Sequence, residues 1–86
     1  MVHPNPGHSE FKIDLMAHAI EKVSVGIFDI QGRMIKTLYS GLITAGTTSL
    51  SWDATNQRGA TVPDGLYFVR ILTKDTVMNR KLILQR

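Results

Sequence analysis

Eighty-six residues, 43% of them hydrophobic and 20% charged, describe one folded domain. A domain of that size buries about 60–65% of its unfolded surface and has no room for a deep catalytic cavity beside its core. The lack of cysteine excludes disulfides and thiolate metal sites, and no apolar run approaches the roughly 18–20 residues of a membrane-spanning helix. The net charge of +3 is unevenly placed, with a balance of −1 over residues 1–69 and +4 over residues 70–86. A surface for an acidic partner is one reading of that basic tail. Edge-strand cations that discourage sheet-to-sheet aggregation are the plainer one.

In chain order, Met1-Val2-His3-Pro4 has neither the basic nor the apolar region of a signal peptide, so for an exported protein the signal is expected upstream. His3-Pro4-Asn5-Pro6-Gly7 excludes helix and central strand, because the prolines remove donors and hold their neighbours extended. Residues 1–8 therefore read as a linker, and residues 9–86 as a single domain. Phe11, Ile13, Leu15 and Ala17 alternate with polar positions and predict a strand near 9–17. Val23, Val25 and Ile27 predict a second near 21–29. Asp29-Ile30-Gln31-Gly32-Arg33 is the reversal, with Gly32 as its positive-φ residue, and residues 34–40 return as the other arm of a hairpin.

Gly41 and Gly46 bracket a short apolar segment, after which Thr48, Leu50 and Trp52 form one side of the clearest one-sided strand. Trp52, the single tryptophan, is expected at the centre of the core with its indole N–H needing an acceptor. Residues 53–59 form a polar loop and residues 60–63 a short edge segment. Asp64-Gly65 then turns the chain into Leu66-Tyr67-Phe68-Val69-Arg70-Ile71-Leu72. Tyr67, Val69 and Ile71 share one face of that strand, and the other is apolar except for Arg70, the pattern of a central strand. Lys74-Asp75 leads to the last strand, residues 77–84. About seven strands with no helix make an all-β chain, an antiparallel β-sandwich.

Chemistry finds little to stand on. His3, His8 and His18 lack the spacing and companions of a zinc site. Residues 53–59 resemble a calcium loop faintly, but the third-position oxygen and the closing glutamate are missing, and an Asx turn accounts for them better. No nucleophile elbow, carboxylate pair or phosphate loop is present, so no enzymatic activity and no cofactor are expected. The aromatics are too few for a nucleic-acid stacking platform. Tyr39, Phe28 and Phe68 are the candidates for sugar binding, with core packing the expected fate of each.

The landmarks Pro4-Asn5-Pro6, Asp29-Ile30-Gln31-Gly32-Arg33, Ala45-Gly46 before Leu50-Ser51-Trp52-Asp53, Asp64-Gly65-Leu66-Tyr67-Phe68-Val69, and Arg80-Lys81-Leu82-Ile83-Leu84-Gln85-Arg86 follow one another along the whole chain. This series resembles the type A C-terminal sorting domain of the type IX secretion system of Bacteroidetes-type bacteria. It is also similar to the immunoglobulin-like domain of the flagellar hook-capping protein, a related module. His3 before Pro4 departs from the family, where an aromatic is frequent. The resemblance implies an immunoglobulin-like sandwich and a non-enzymatic address label on an N-terminal cargo. Such a domain travels through the periplasm and is recognised by an outer-membrane translocon and its shuttle. A cell-surface sortase-like peptidase usually removes it, leaving cargo at the surface or secreted. Carried over residue by residue, the recognition positions are Gly32 and Arg33, Gly65 and Tyr67, and Lys81, Leu82, Ile83, Leu84, Gln85 and Arg86.

On the last strand, leucines 82 and 84 can pack inward while Lys81, Ile83 and Gln85 face out, and an exposed sheet edge could also make dimers. The alternatives are a structural immunoglobulin-like spacer or assembly module and, behind it, a carbohydrate-binding module.

Overall fold

A computed structural model describes residues 2–5, as backbone, and residues 10–85. Seven strands follow in order: β1 (Val2–Asn5), β2 (Glu10–Ala17), β3 (Glu21–Asp29), β4 (Met34–Ile43), β5 (Gly46–Trp52), β6 (Gly65–Leu72) and β7 (Val77–Leu84). They form two antiparallel sheets, one ordered β1-β2-β5 and the other β4-β3-β6-β7. This is the expected all-β immunoglobulin-like sandwich.

The period-2 pattern does what it predicts. Phe11, Ile13, Leu15 and Ala17 of β2 are buried while Lys12, Asp14 and Met16 are exposed, and Val23, Val25 and Ile27 of β3 and Tyr67, Val69 and Ile71 of β6 supply the facing layer. Strand β6 lies between β3 and β7, as its two apolar faces suggested. Trp52 is fully buried, stacked on Phe11 at 5.8 Å between ring centroids and edge-on to Tyr67 at 5.3 Å. Its indole N–H donates to the Thr55 carbonyl at 2.8 Å, so burying the polar atom costs no lost hydrogen bond.

Three differences from the sequence reading have physical causes. The opening, read as a linker over residues 1–8, contributes β1, which pairs with the first half of β2 from Asn5↔Glu10 to Val2↔Ile13. A proline is tolerated there because β1 has one neighbouring strand among the described residues and Pro4 forfeits no bond of a central ladder. Residues 6–8 lie outside the described residues.

Second, β4 runs on through Gly41 to Ile43, beyond the expected end at residue 40. Its register against β3 slips twice: Val25↔Tyr39 is followed by Gly26↔Thr37, and Ile27↔Lys36 by Phe28↔Met34. The residues skipped are Leu38 and Ile35, and both pack against the core. The two bulges thus let Leu38, which strict alternation from Ile43 would leave outside, pack inward beside Ile35.

Third, the second face of β6 is not covered among the described residues. Leu66, Phe68 and Arg70 are half-buried and Leu72 is exposed, on the outside of the four-stranded sheet.

The free edge of β4 is covered over its first residues by the loop that follows β5. Gln57 donates its backbone N–H to the Ile35 carbonyl at 3.0 Å and accepts the Thr37 N–H on its side-chain oxygen at 2.9 Å, standing in for a strand residue. The loop is held by Asn56, whose side-chain oxygen accepts the N–H groups of Arg58 (2.9 Å) and Ala60 (3.0 Å), the expected Asx turn. Lys36 reaches across to Thr55 at 2.9 Å and Asp53 at 3.6 Å. The Thr55 hydroxyl first, and Lys36 after it, hold the Asp53 carboxyl below its usual range.

Candidate recognition surface

Register brings the sequence-predicted residues to one end of the four-stranded sheet. Asp29 of β3 stands opposite Tyr67 of β6, and Tyr67 opposite Leu82 of β7. One row along, Phe28, Phe68 and Lys81 are neighbours, and Gly65 pairs with Leu84. The β3–β4 turn, the start of β6 and the end of β7 therefore lie side by side.

Most of these residues build the end rather than face outward from it. Asp29 organises the turn: one carboxylate oxygen accepts the N–H groups of Gln31 and Arg33, each at 2.9 Å, and the other accepts Arg33 Nε at 2.9 Å. The Arg33 backbone N–H is the strongest influence holding the Asp29 carboxyl below its usual range, with the Arg33 guanidinium and the Gln31 N–H adding to it. Gly32 sits at φ 83°, where a side chain would be strained, and donates to the Asp29 carbonyl at 3.0 Å. Gly65 (φ 153°) performs the same service where the chain enters β6.

Tyr67 is buried with its hydroxyl donating to the Pro63 carbonyl at 2.5 Å, a tyrosine corner of the immunoglobulin kind. Leu82 and Leu84 are each 2% exposed and belong to the core. Arg33, Lys81, Ile83 and Gln85 remain on the surface, and Arg86 lies outside the described residues.

Sequence reasoning missed what surrounds these four. Phe28 and Phe68, expected in the core, lie on the outer face, where Gly26 leaves room for the Phe28 ring 3.2 Å from its own missing Cβ. The Arg70 guanidinium lies 4.3 Å above that ring, with Nε donating to the Asn79 side-chain oxygen at 3.2 Å. These groups, with Ile30, line an open cleft of about 310 Å³. A second, of about 230 Å³, lies between the β3–β4 turn and residues 63–67. Ile30 and Ile83 are 70% and 62% exposed. The signal was present in the sequence as Leu66, Phe68 and Arg70 alternating with Tyr67 and Val69. A central strand of an antiparallel sandwich turns one face outward, so its second apolar face marks a surface patch rather than a buried layer.

An apolar, cation-bearing sheet end has the composition of a protein-contact surface. Among the described residues, no group of three histidine, cysteine or acidic side chains is placed to hold a metal.

The FlgD Ig-like domain model matches residues 5–76, which is most of the chain. The chain belongs to the FlgD Ig-like domain family. Over 61 residues, 71% of its length, it is 39% identical to the basal-body rod modification protein FlgD of Escherichia coli (strain K12). It is 38% identical over the same length to that of Salmonella typhimurium. The match spans 26% of either relative, about a quarter of their length. Among solved structures, dimeric latent PorU from Porphyromonas gingivalis contains a region of the same fold. It superposes over 100% of this chain and 9% of that one with a TM-score of 0.78 at 21% identity. The FlgD-type match ends at residue 76, so β7, with the exposed basic residues, lies beyond it.

Proposed function

We propose that this FlgD-type immunoglobulin-like domain is a non-enzymatic recognition module that acts as a secretion-sorting label for a cargo on the same chain. The observation that carries the reading is the convergence of the β3–β4 turn, the Gly65–Tyr67 corner and the end of β7 on one exposed sheet end. Three of the five ordered landmarks of the sorting family, Asp29 to Arg33, Asp64 to Val69 and Arg80 to Arg86, fall on those three segments. The partners are then a translocon, its shuttle and a surface peptidase, with the domain in the periplasm during transit and at the surface or outside afterwards.

The test is secretion of a periplasmic reporter fused to residues 1–86 in a host with the type IX system. Deleting residues 81–86 is a poor control, because it removes two core leucines along with the surface. Lys81→Glu and Ile83→Glu change the surface alone. Export of the parent fusion and retention of the two folded variants supports the reading; retention of the folded parent overturns it.

A second reading, an assembly or spacer module, is favoured by the family match and by relatives named for basal-body rod modification. It predicts that the reporter stays in the periplasm and that neither surface variant matters there.

A further inference from the structure

The two edges of the four-stranded sheet are treated differently. Gln57 covers the β4 edge at Ile35 and Thr37, whereas β7 has a neighbour on one side alone among the described residues. Which backbone groups β7 leaves open follows from its hairpin. Thr73 N–H donates to the Thr76 carbonyl at 2.8 Å, so these two form a bonded pair around Lys74-Asp75. The register then continues without a slip from Leu72↔Val77 to Gly65↔Leu84. Antiparallel partners alternate between bonded and non-bonded pairs. Met78, Arg80, Leu82 and Leu84 therefore bond back to β6, and Val77, Asn79, Lys81 and Ile83 direct their N–H and C=O groups to the open edge. At ~3.4 Å per residue the edge is about 27 Å long.

Such an edge is a template for another strand, and its charge selects which. Residues 76–86 contain Arg80, Lys81 and Arg86 and no acid. A second copy laid antiparallel on β7 would set these cations against their own kind, and like charges across a strand pair are destabilising. An acidic strand meets them with opposite charge. The cations that reject self-association thus admit one class of partner.

We infer that β7 is the docking edge for an extended acidic segment of another protein, which adds as a fifth strand beside Val77, Asn79, Lys81 and Ile83. Its carboxylates stand opposite Arg80 and Lys81, on the two faces of the extended sheet, and its apolar residues opposite Val77 and Ile83 join the outer patch of Phe68 and Leu66. This deepens the recognition reading and rests on it for the choice of edge. It is tested on the purified domain, so a failed titration and a failed secretion assay are read separately.

The experiment is amide hydrogen exchange, followed by NMR, with a synthetic peptide of alternating valine and threonine around two adjacent glutamates. A counterpart with lysines in place of the glutamates is the control. The acidic peptide is expected to slow exchange at Val77, Asn79, Lys81 and Ile83, leaving the already bonded Met78, Arg80 and Leu82 unchanged. Lys81→Glu weakens its binding roughly tenfold at an unchanged melting temperature. Asn79→Pro removes an outward N–H, keeps the backbone ladder to β6 while giving up the side-chain acceptor of Arg70, and also weakens it. Several outcomes overturn the inference: equal protection by the lysine peptide, protection of these amides by raised protein concentration alone, or binding of the acidic peptide that leaves them exchanging freely. So does a polyanion such as polyglutamate in coil form binding equally well to Asn79→Pro.

Discussion

The Tyr67 hydroxyl donates to the Pro63 carbonyl four residues upstream at 2.5 Å, while the same ring meets the Trp52 indole edge-on at 5.3 Å. One side chain thus ties the corner before β6 to the centre of the core. Tyr67→Phe keeps the ring contact and removes the bond to the Pro63 carbonyl. A loss of about 1 kcal/mol is expected, or about 4–8 °C in melting temperature for a domain of this size. Denaturant titration followed by Trp52 fluorescence measures it. An unchanged midpoint would mean that the corner contributes nothing to stability.

Asp29 gives the protein an acid-sensitive hairpin. Its carboxyl titrates below the ordinary range because the ionised form is held by Arg33 and Gln31. A depressed folded-state pKa stabilises the fold above the unfolded-state value, and that contribution disappears as pH falls through the folded-state value. Asp29→Asn is therefore expected to be less stable than the parent at neutral pH, with the gap closing as pH is lowered through and below the ordinary carboxylate range. Denaturant midpoints of both proteins across that range check the sign. A gap that widens in acid contradicts the assignment.

Gln57 covers an edge rather than filling a core. In Gln57→Ala the backbone bond to Ile35 can persist while the Thr37 N–H loses its acceptor. The expected cost is less than roughly 1 kcal/mol, since water can replace the acceptor. Faster amide exchange at Thr37 and light scattering at lower protein concentration are the sharper readouts, because an uncovered strand edge invites pairing. Unaltered exchange at Thr37 would refute the capping role.

Alternation made the strands legible: Phe11, Ile13 and Leu15, or Tyr67, Val69 and Ile71, announce period-2 burial without a structure. Trp52 announced the core in the same way. What sequence could not supply were relations that exist between strands. Neither the pairing of Asp29 with Tyr67 and of Tyr67 with Leu82 nor the bulges at Leu38 and Ile35 leaves a local mark. The strand at Pro4 was hidden because proline argues against central strands and is silent about edges. Gln57 looked like one more polar loop residue, and the edge it covers was unknown until β4 had neighbours. The candidate surface was half legible for a related reason. Alternation places Lys81 and Ile83 outward, but the hydrophobicity of Phe28 and Phe68 favours the core without saying which face of a sheet is covered.

The last strand separates structure from signal by alternate residues, and this decides how any loss of recognition is to be interpreted. Leu82 is 2% exposed, and Leu82→Ala is expected to cost about 2–5 kcal/mol through lost burial and a residual cavity. That is a large share of the roughly 5–15 kcal/mol that holds a small domain together. Ile83, one residue on, faces solvent, and Ile83→Ala is expected to stay within about 0.5 kcal/mol of the parent. Thermal melts of the two variants, followed by reporter secretion and peptide titration of each, form the measurement. If Ile83→Ala loses recognition while it melts like the parent, the outer face of β7 carries the signal. If Leu82→Ala alone loses it, and only in proportion to its unfolded fraction, the tail is structural and recognition lies elsewhere on the domain.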